Sequence, residues 1–216
     1  MFDFLSSLIR RFRRPGWTLI DPRPIREEAP YTFNIPSSDT LASVEIGDCV
    51  KLIFEGTGGD AYDVERMWVE VDRRDDRGWT GRLSNVPVGL RAIQLHDTIQ
   101  FQDYHIIDVD PLRLEDEDPV AHGAYFARCH VAKDIIDGKD TVQRIERREP
   151  RAPDPDTNIQ DTGLFLFGTK DTRPEDMAYV ALGIVLNRDD SMLDILMENR
   201  TSLQFLRDAS GSFIAK

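Results

Sequence analysis

From Gly47 onward, apolar and polar positions alternate with a period of two. Val50, Leu52 and Phe54 interleave with Lys51, Ile53 and Glu55; Met67, Val69 and Val71 with Trp68 and Glu70; Ile99 and Phe101 with Thr98 and Gln100. Successive side chains of a strand point to opposite faces, so each run predicts a strand with one buried side. Between the runs lie Gly56-Thr57-Gly58-Gly59-Asp60, Asp75-Asp76-Arg77-Gly78 and Asn85-Val86-Pro87, all suited to tight turns. A further strand over Tyr104–Val109 completes an antiparallel meander across residues 46–112, curled or closed into a small barrel that protects its edges.

The chain before this domain has another pattern. Phe2, Leu5, Leu8, Ile9 and Phe12 recur at helical spacing, and Arg10, Arg11, Arg13 and Arg14 crowd the helix end, where cations suit the dipole. Pro15-Gly16 stops that helix. The rest of residues 1–45 is proline-rich and weakly periodic, an extended strap with strand-like pieces such as Tyr31-Thr32-Phe33. Residues 113–120 form an acidic linker, and residues 121–216 a second domain. In it we expect an apolar segment at Ala124–Ala132, a charged loop from Arg144 to Pro155 and a strand at Leu164–Phe167. Pro174-Glu175-Asp176 opens a helix running through Met177–Leu186, with a strand as the alternative. Asp189 or Asp190 caps a short helix to Met197, and a hairpin spans Leu203–Phe213. The expected fold class is α+β: a small antiparallel β-barrel-like domain followed by a mixed α+β domain.

Composition narrows the function. A hydrophobic content of 40% with 31% charged residues is that of a globular chain, and no apolar run has the length of a transmembrane helix. Cys49 and Cys129 stand far apart without metal-ligand spacing, and the arginines follow rather than precede the first apolar stretch, which predicts a cytoplasmic location. The net charge of −12 opposes nucleic acid and favours a basic protein partner. The basic amphipathic helix at residues 2–14 leaves peripheral membrane contact open.

Candidate chemistry is sparse. Asp161-Thr162-Gly163 is the tripeptide of aspartic proteases, but the flanking residues do not match that family, and a polar turn feeding a strand is the plainer reading. His96, His105, His122 and His130 have no zinc-site spacing, so neither metal nor cofactor is expected. A hydrolase would have to draw on Asp161, His130 or His105. For binding, Trp68, Glu70 and Trp79 are expected on the exposed side of the barrel, and Arg144, Arg147, Arg148 and Arg151 in the charged loop.

Five segments in order, APYTFNIPS (Ala29–Ser37), GDCVKLIFE (Gly47–Glu55), ERMWVEV (Glu65–Val71), GRLSNVP (Gly81–Pro87) and HDTIQFQDYHIID (His96–Asp108), closely resemble the uncharacterised bacterial family called domain of unknown function 2314. His96 departs from the family pattern, which has glycine before the aspartate. CHVAKDIIDG, RIERREP, DTGLFLFGTKD, IVLNRDD and FLRDASGSF are similar to domain of unknown function 2185, grouped with predicted immunity proteins of polymorphic-toxin systems. The Asp-Ser-Gly-Trp of that family stands here as Asp161-Thr162-Gly163-Leu164, a non-catalytic setting for Asp161. The resemblance implies a non-enzymatic, two-domain bacterial protein whose second domain binds and neutralises a toxin. A hydrolase and a membrane-surface adaptor are the alternatives.

Overall fold

The computed structural model describes residues 16–56, 64–115, 117–153, 155–197 and 203–216. The expected helix at residues 2–14 and most of the turn after Gly56 lie outside the described residues. The chain divides into two compact units. One holds Ile35–Glu117 with the described residues up to Glu27; the other holds Glu28–Asn34 with the described residues of Asp118–Lys216.

The first unit is one antiparallel sheet of β1 (Trp17–Leu19), β2 (Cys49–Gly56), β3 (Val64–Asp75), β4 (Gly78–Leu83), β5 (Thr98–Phe101) and β6 (Asp108–Asp110). The order is β1-β2-β3-β4-β5, and β6 shares the β1 edge of β2, pairing with Cys49–Lys51 while β1 pairs with Phe54–Gly56. The alternation read from the sequence sets the register. Val50, Val69 and Leu83 lie in one row across three strands and are fully buried. With Leu52, Phe54, Met67, Val71, Ile99 and Phe101 they line the concave side, which Val44, Leu90, Ile93 and Ile106 help to fill.

Of the two forms expected for this sheet the curled one is found, and two other expectations for the unit change. The sheet curls without closing, since β5 pairs with β4 alone among the described strands. The predicted strand at Tyr104–Val109 is a 3-10 turn at Asp103–His105 followed by the short β6. His105 Nδ1 accepts the Gln102 N–H at 2.9 Å and Asp103 accepts the Trp79 Nε1–H, so local side-chain bonds hold the turn. The strap contains β1, whose Trp17 ring packs 5.4 Å from Phe54, and two helices, α1 (Arg23–Glu28) and α2 (Ser38–Ala42), the latter capped by Ser37.

The loop after β4 is fastened by one carboxylate. Glu65 accepts the backbone N–H groups of Val88, Gly89 and Leu90 at 2.6–2.9 Å. Burial raises its pKa, but the three donors outweigh burial and the net shift is downward. Glu65→Gln keeps the shape but exchanges one acceptor oxygen for a donor. It should cost about 1–2 kcal/mol in urea unfolding, since at least one of the N–H groups loses its partner.

The second unit is a mixed sheet of β7 (Arg128–Ala132), β8 (Arg144–Arg147), β9 (Asp161–Phe167), β10 (Met177–Ala181), β11 (Gln204–Arg207) and β12 (Phe213–Ala215), in the order β10-β7-β9-β8-β11-β12. Among the described residues only the β7–β9 pair is parallel. Cys129, Val131, Ile145, Leu164, Leu166 and Phe205 project to one side. There they meet Ile135 of α3 (Lys133–Ile136), Leu182, Val185 and Leu186 of α4 (Leu182–Leu186) and Ile195 of α5 (Leu193–Met197). Glu28–Asn34 belongs to this core layer: Asn187, just after α4, accepts the Tyr31 N–H at 2.9 Å and donates to Thr32 Oγ1 at 2.7 Å.

Two expectations change here as well. Met177–Leu186 is not one helix: Met177–Ala181 pairs with β7, and the helix begins only at Leu182. The start of the charged loop is strand β8, because Ile145 is fully buried between Leu166 and Phe205 of the neighbouring strands. The Leu164–Phe167 strand and the hairpin turning at Asp208–Gly211 are present as expected. The fold is thus β-rich, with few and short helices.

Candidate functional site

Strand alternation that sends Cys129, Val131, Leu164, Leu166 and Ile145 into the core sends Arg128, His130, Phe165, Phe167, Arg144 and Glu146 to the opposite, outward face. Tyr179 of β10 pairs with His130 of β7, His130 with Phe165 of β9, and Phe165 with Glu146 of β8. These registers build a stack across the sheet. The His130 ring lies parallel to Phe165 with centroids 4.4 Å apart and 4.8 Å from Tyr179. The Arg148 guanidinium sits 3.8 Å over Phe165, Arg144 sits 3.8 Å over Phe167, and Arg151 approaches Tyr179 at 5.5 Å. Glu146 bridges Arg144 and Arg148. Three of these rings, Phe165, Phe167 and Tyr179, each carry a cation, and the contacts restrain the long arginine side chains.

Electrostatics follow the packing. Burial lowers the His130 pKa, Arg151 and Arg148 push it further down and Asp161 opposes them, so the imidazole is neutral at pH 7. The Tyr179 phenol is raised by burial and by the Asp161 carboxylate. Behind the sheet, burial pushes the Cys129 thiol up to about 12, which removes it as a nucleophile.

The predicted residues are distributed unevenly. Arg144, Arg148 and Arg151 meet on the outward face. Arg147 does not: it turns to the core side, donating to the Ile195 carbonyl at 2.8 Å with its guanidinium 5.7 Å from the Phe205 ring. In the first unit, the half-buried Trp68 and the exposed Glu70 are on the convex side, Trp68 with Lys51 Nζ 4.2 Å over its ring. The expected exposure of Trp79 is corrected. It is buried, pairs with Phe101 in register, donates Nε1–H to Asp103 at 2.5 Å and lies under Arg74. Its own strand places it there: Trp79, Gly81 and Leu83 are the alternate, buried positions of β4.

Asp161 is the first residue of β9 and accepts the Gly163 N–H at 2.7 Å, so the expected turn before the strand is part of the strand. Among the described residues no three His, Cys, Asp or Glu side chains are grouped to hold a metal ion. Sequence reasoning missed Arg128, Phe165 and Tyr179 on this face, and Phe167, which is buried under Arg144; the alternation of Arg128 and His130 around Cys129 was the available signal.

Residues 38–131 match a family model described as an uncharacterized protein conserved in bacteria, DUF2314. The match begins just after the Ala29–Ser37 segment, takes in β2 to β6 and ends within β7, so it bears out the likeness read from Gly47 to Asp108. No curated protein and no solved structure matches the chain. No helix among the described residues is long and apolar enough to cross a membrane.

Proposed function

We propose that the chain is a non-enzymatic binding protein that engages a protein partner through the outward face of its second sheet. The observation that carries this reading is the cross-strand stack of Tyr179, His130 and Phe165 with its arginines. Arginine and tyrosine are the residues that dominate protein interfaces, and pre-ordered side chains lose less entropy on binding. The groups a hydrolase would use are otherwise engaged: His105 caps a turn, Asp161 accepts the Gly163 N–H at the start of β9, and His130 lies between two rings.

The partner class follows from charge on two scales. The whole chain, at −12, draws cationic proteins from a distance, which suits the basic toxin an immunity protein would neutralise. The face itself is locally cationic, with Arg128, Arg144, Arg148 and Arg151 against Glu146 and Asp161, so the partner's contact patch carries carboxylates at its centre.

Tagged wild-type protein and the double variant R144E/R148E should be compared in pulldown at moderate salt, and the captured partner then titrated against both. The variant should bind about tenfold or more weakly. Equal binding by the two proteins removes the face from the interaction.

A further inference from the structure

At one end of the outward face the chain after β8 folds beside the edge strand β10 and leaves a cavity of about 460 Å³ lined by Arg128, Arg151, Ala152, Thr157, Ile159 and Tyr179. That volume lies in the range of small-ligand sites. Its lining combines two guanidiniums, a hydroxyl-bearing side chain, an aromatic ring and an aliphatic wall. We propose that this cavity binds a small organic dianion carrying a planar ring, the class of aryl and nucleoside monophosphates.

The arginines decide the charge. The Arg128 guanidinium has no ion pair or side-chain hydrogen bond among the described residues. Arg151 Nε stands 4.0 Å from Asp161 Oδ2, beyond hydrogen-bond distance, with its side chain 65% exposed. Asp161 is the competing anion of the site, but its Oδ1 is held by the Gly163 N–H. Two arginines lining one space match the several oxygens of a phosphoryl group better than the two of a carboxylate. The ring follows from Tyr179. His130 and Phe165 stack behind it and hold its orientation, while Tyr179 itself is 43% exposed and lines the cavity, with Ile159 supplying a further apolar surface. Aromatic stacking then adds to phosphate contact, so an aryl phosphate should bind more tightly than phosphate alone.

Calorimetric titration of the full chain with phenyl phosphate, adenosine monophosphate and inorganic phosphate tests the assignment. One saturable site is expected for the two ring-bearing phosphates, with inorganic phosphate about tenfold weaker. R128Q and R151Q should each weaken phenyl phosphate about tenfold, and Y179A should erase its advantage over inorganic phosphate. No saturable binding, or binding indifferent to both arginine substitutions, overturns the proposal; equal affinity for phenyl and inorganic phosphate overturns the planar-ring class. Arg144 and Arg148 do not line the cavity, so the protein-partner reading fails or stands on its own experiment.

Discussion

Gly163→Ala should destabilise the second unit by about 3 kcal/mol, read as a shift of its urea unfolding curve followed by far-UV circular dichroism. Gly163 has φ +68°, a conformation that costs any other residue about 1–2 kcal/mol. An added Cβ would sit 2.2 Å from the Arg148 carbonyl oxygen and 3.2 Å from the Pro150 nitrogen, both backbone atoms that cannot swing away. Relief would have to open the junction of β8 and β9, where the Arg148 N–H donates to the Gly163 carbonyl at 2.8 Å. Gly138 separates the two causes. It also has a positive φ, +71°, but nothing lies within 4 Å of its would-be Cβ, so Gly138→Ala should lose only the conformational part, about 1 kcal/mol. Equal losses at the two positions would show that the approach of Arg148 contributes nothing.

The same residue shows how far the sequence could be read. Asp161-Thr162-Gly163 reads as a turn feeding a strand but forms the first three residues of β9, where Asp161 still accepts the Gly163 N–H. That the glycine is obliged by a carbonyl fifteen positions earlier in the chain is a tertiary fact with no local trace. The first sheet was legible because its period of two runs over strands of up to twelve residues, long enough for alternation to stand out. In the second unit most strands have three to five residues, and β8 was hidden: Arg144-Ile145-Glu146-Arg147 contains a single apolar residue, and its burial comes entirely from β9 and β11 on either side. The outward face of the second sheet shared that obscurity. Its arginines were visible as a cluster, but the rings that order them come from β9 and β10, which pairing alone brings alongside.

Asp48→Asn should cost the first unit about 3 kcal/mol, and tryptophan emission will follow it selectively, because Trp17, Trp68 and Trp79 all belong to that unit. Asp48 is 4% exposed at the entry to β2. Its carboxylate takes Arg113 in a two-pronged contact, Nη1 to Oδ2 at 2.5 Å and Nη2 to Oδ1 at 2.7 Å, and Oδ2 also accepts the Glu45 N–H at 2.7 Å. An amide cannot accept at both ends, so one guanidinium donor would face an NH₂ group in a buried setting. The Arg113 hydrogen bonds lower the Asp48 pKa, burial opposes them, the Glu45 N–H assists, and the net shift is downward. A carboxyl whose folded pKa lies below its unfolded value, about 3.9, contributes its full stability above that value and loses it as pH falls through the folded one. The difference in unfolding free energy between wild type and Asp48→Asn should therefore be constant from neutral pH down to about 5 and shrink at lower pH. A difference that persisted unchanged into strong acid would mean that the substitution acts through packing rather than through the Asp48–Arg113 pair.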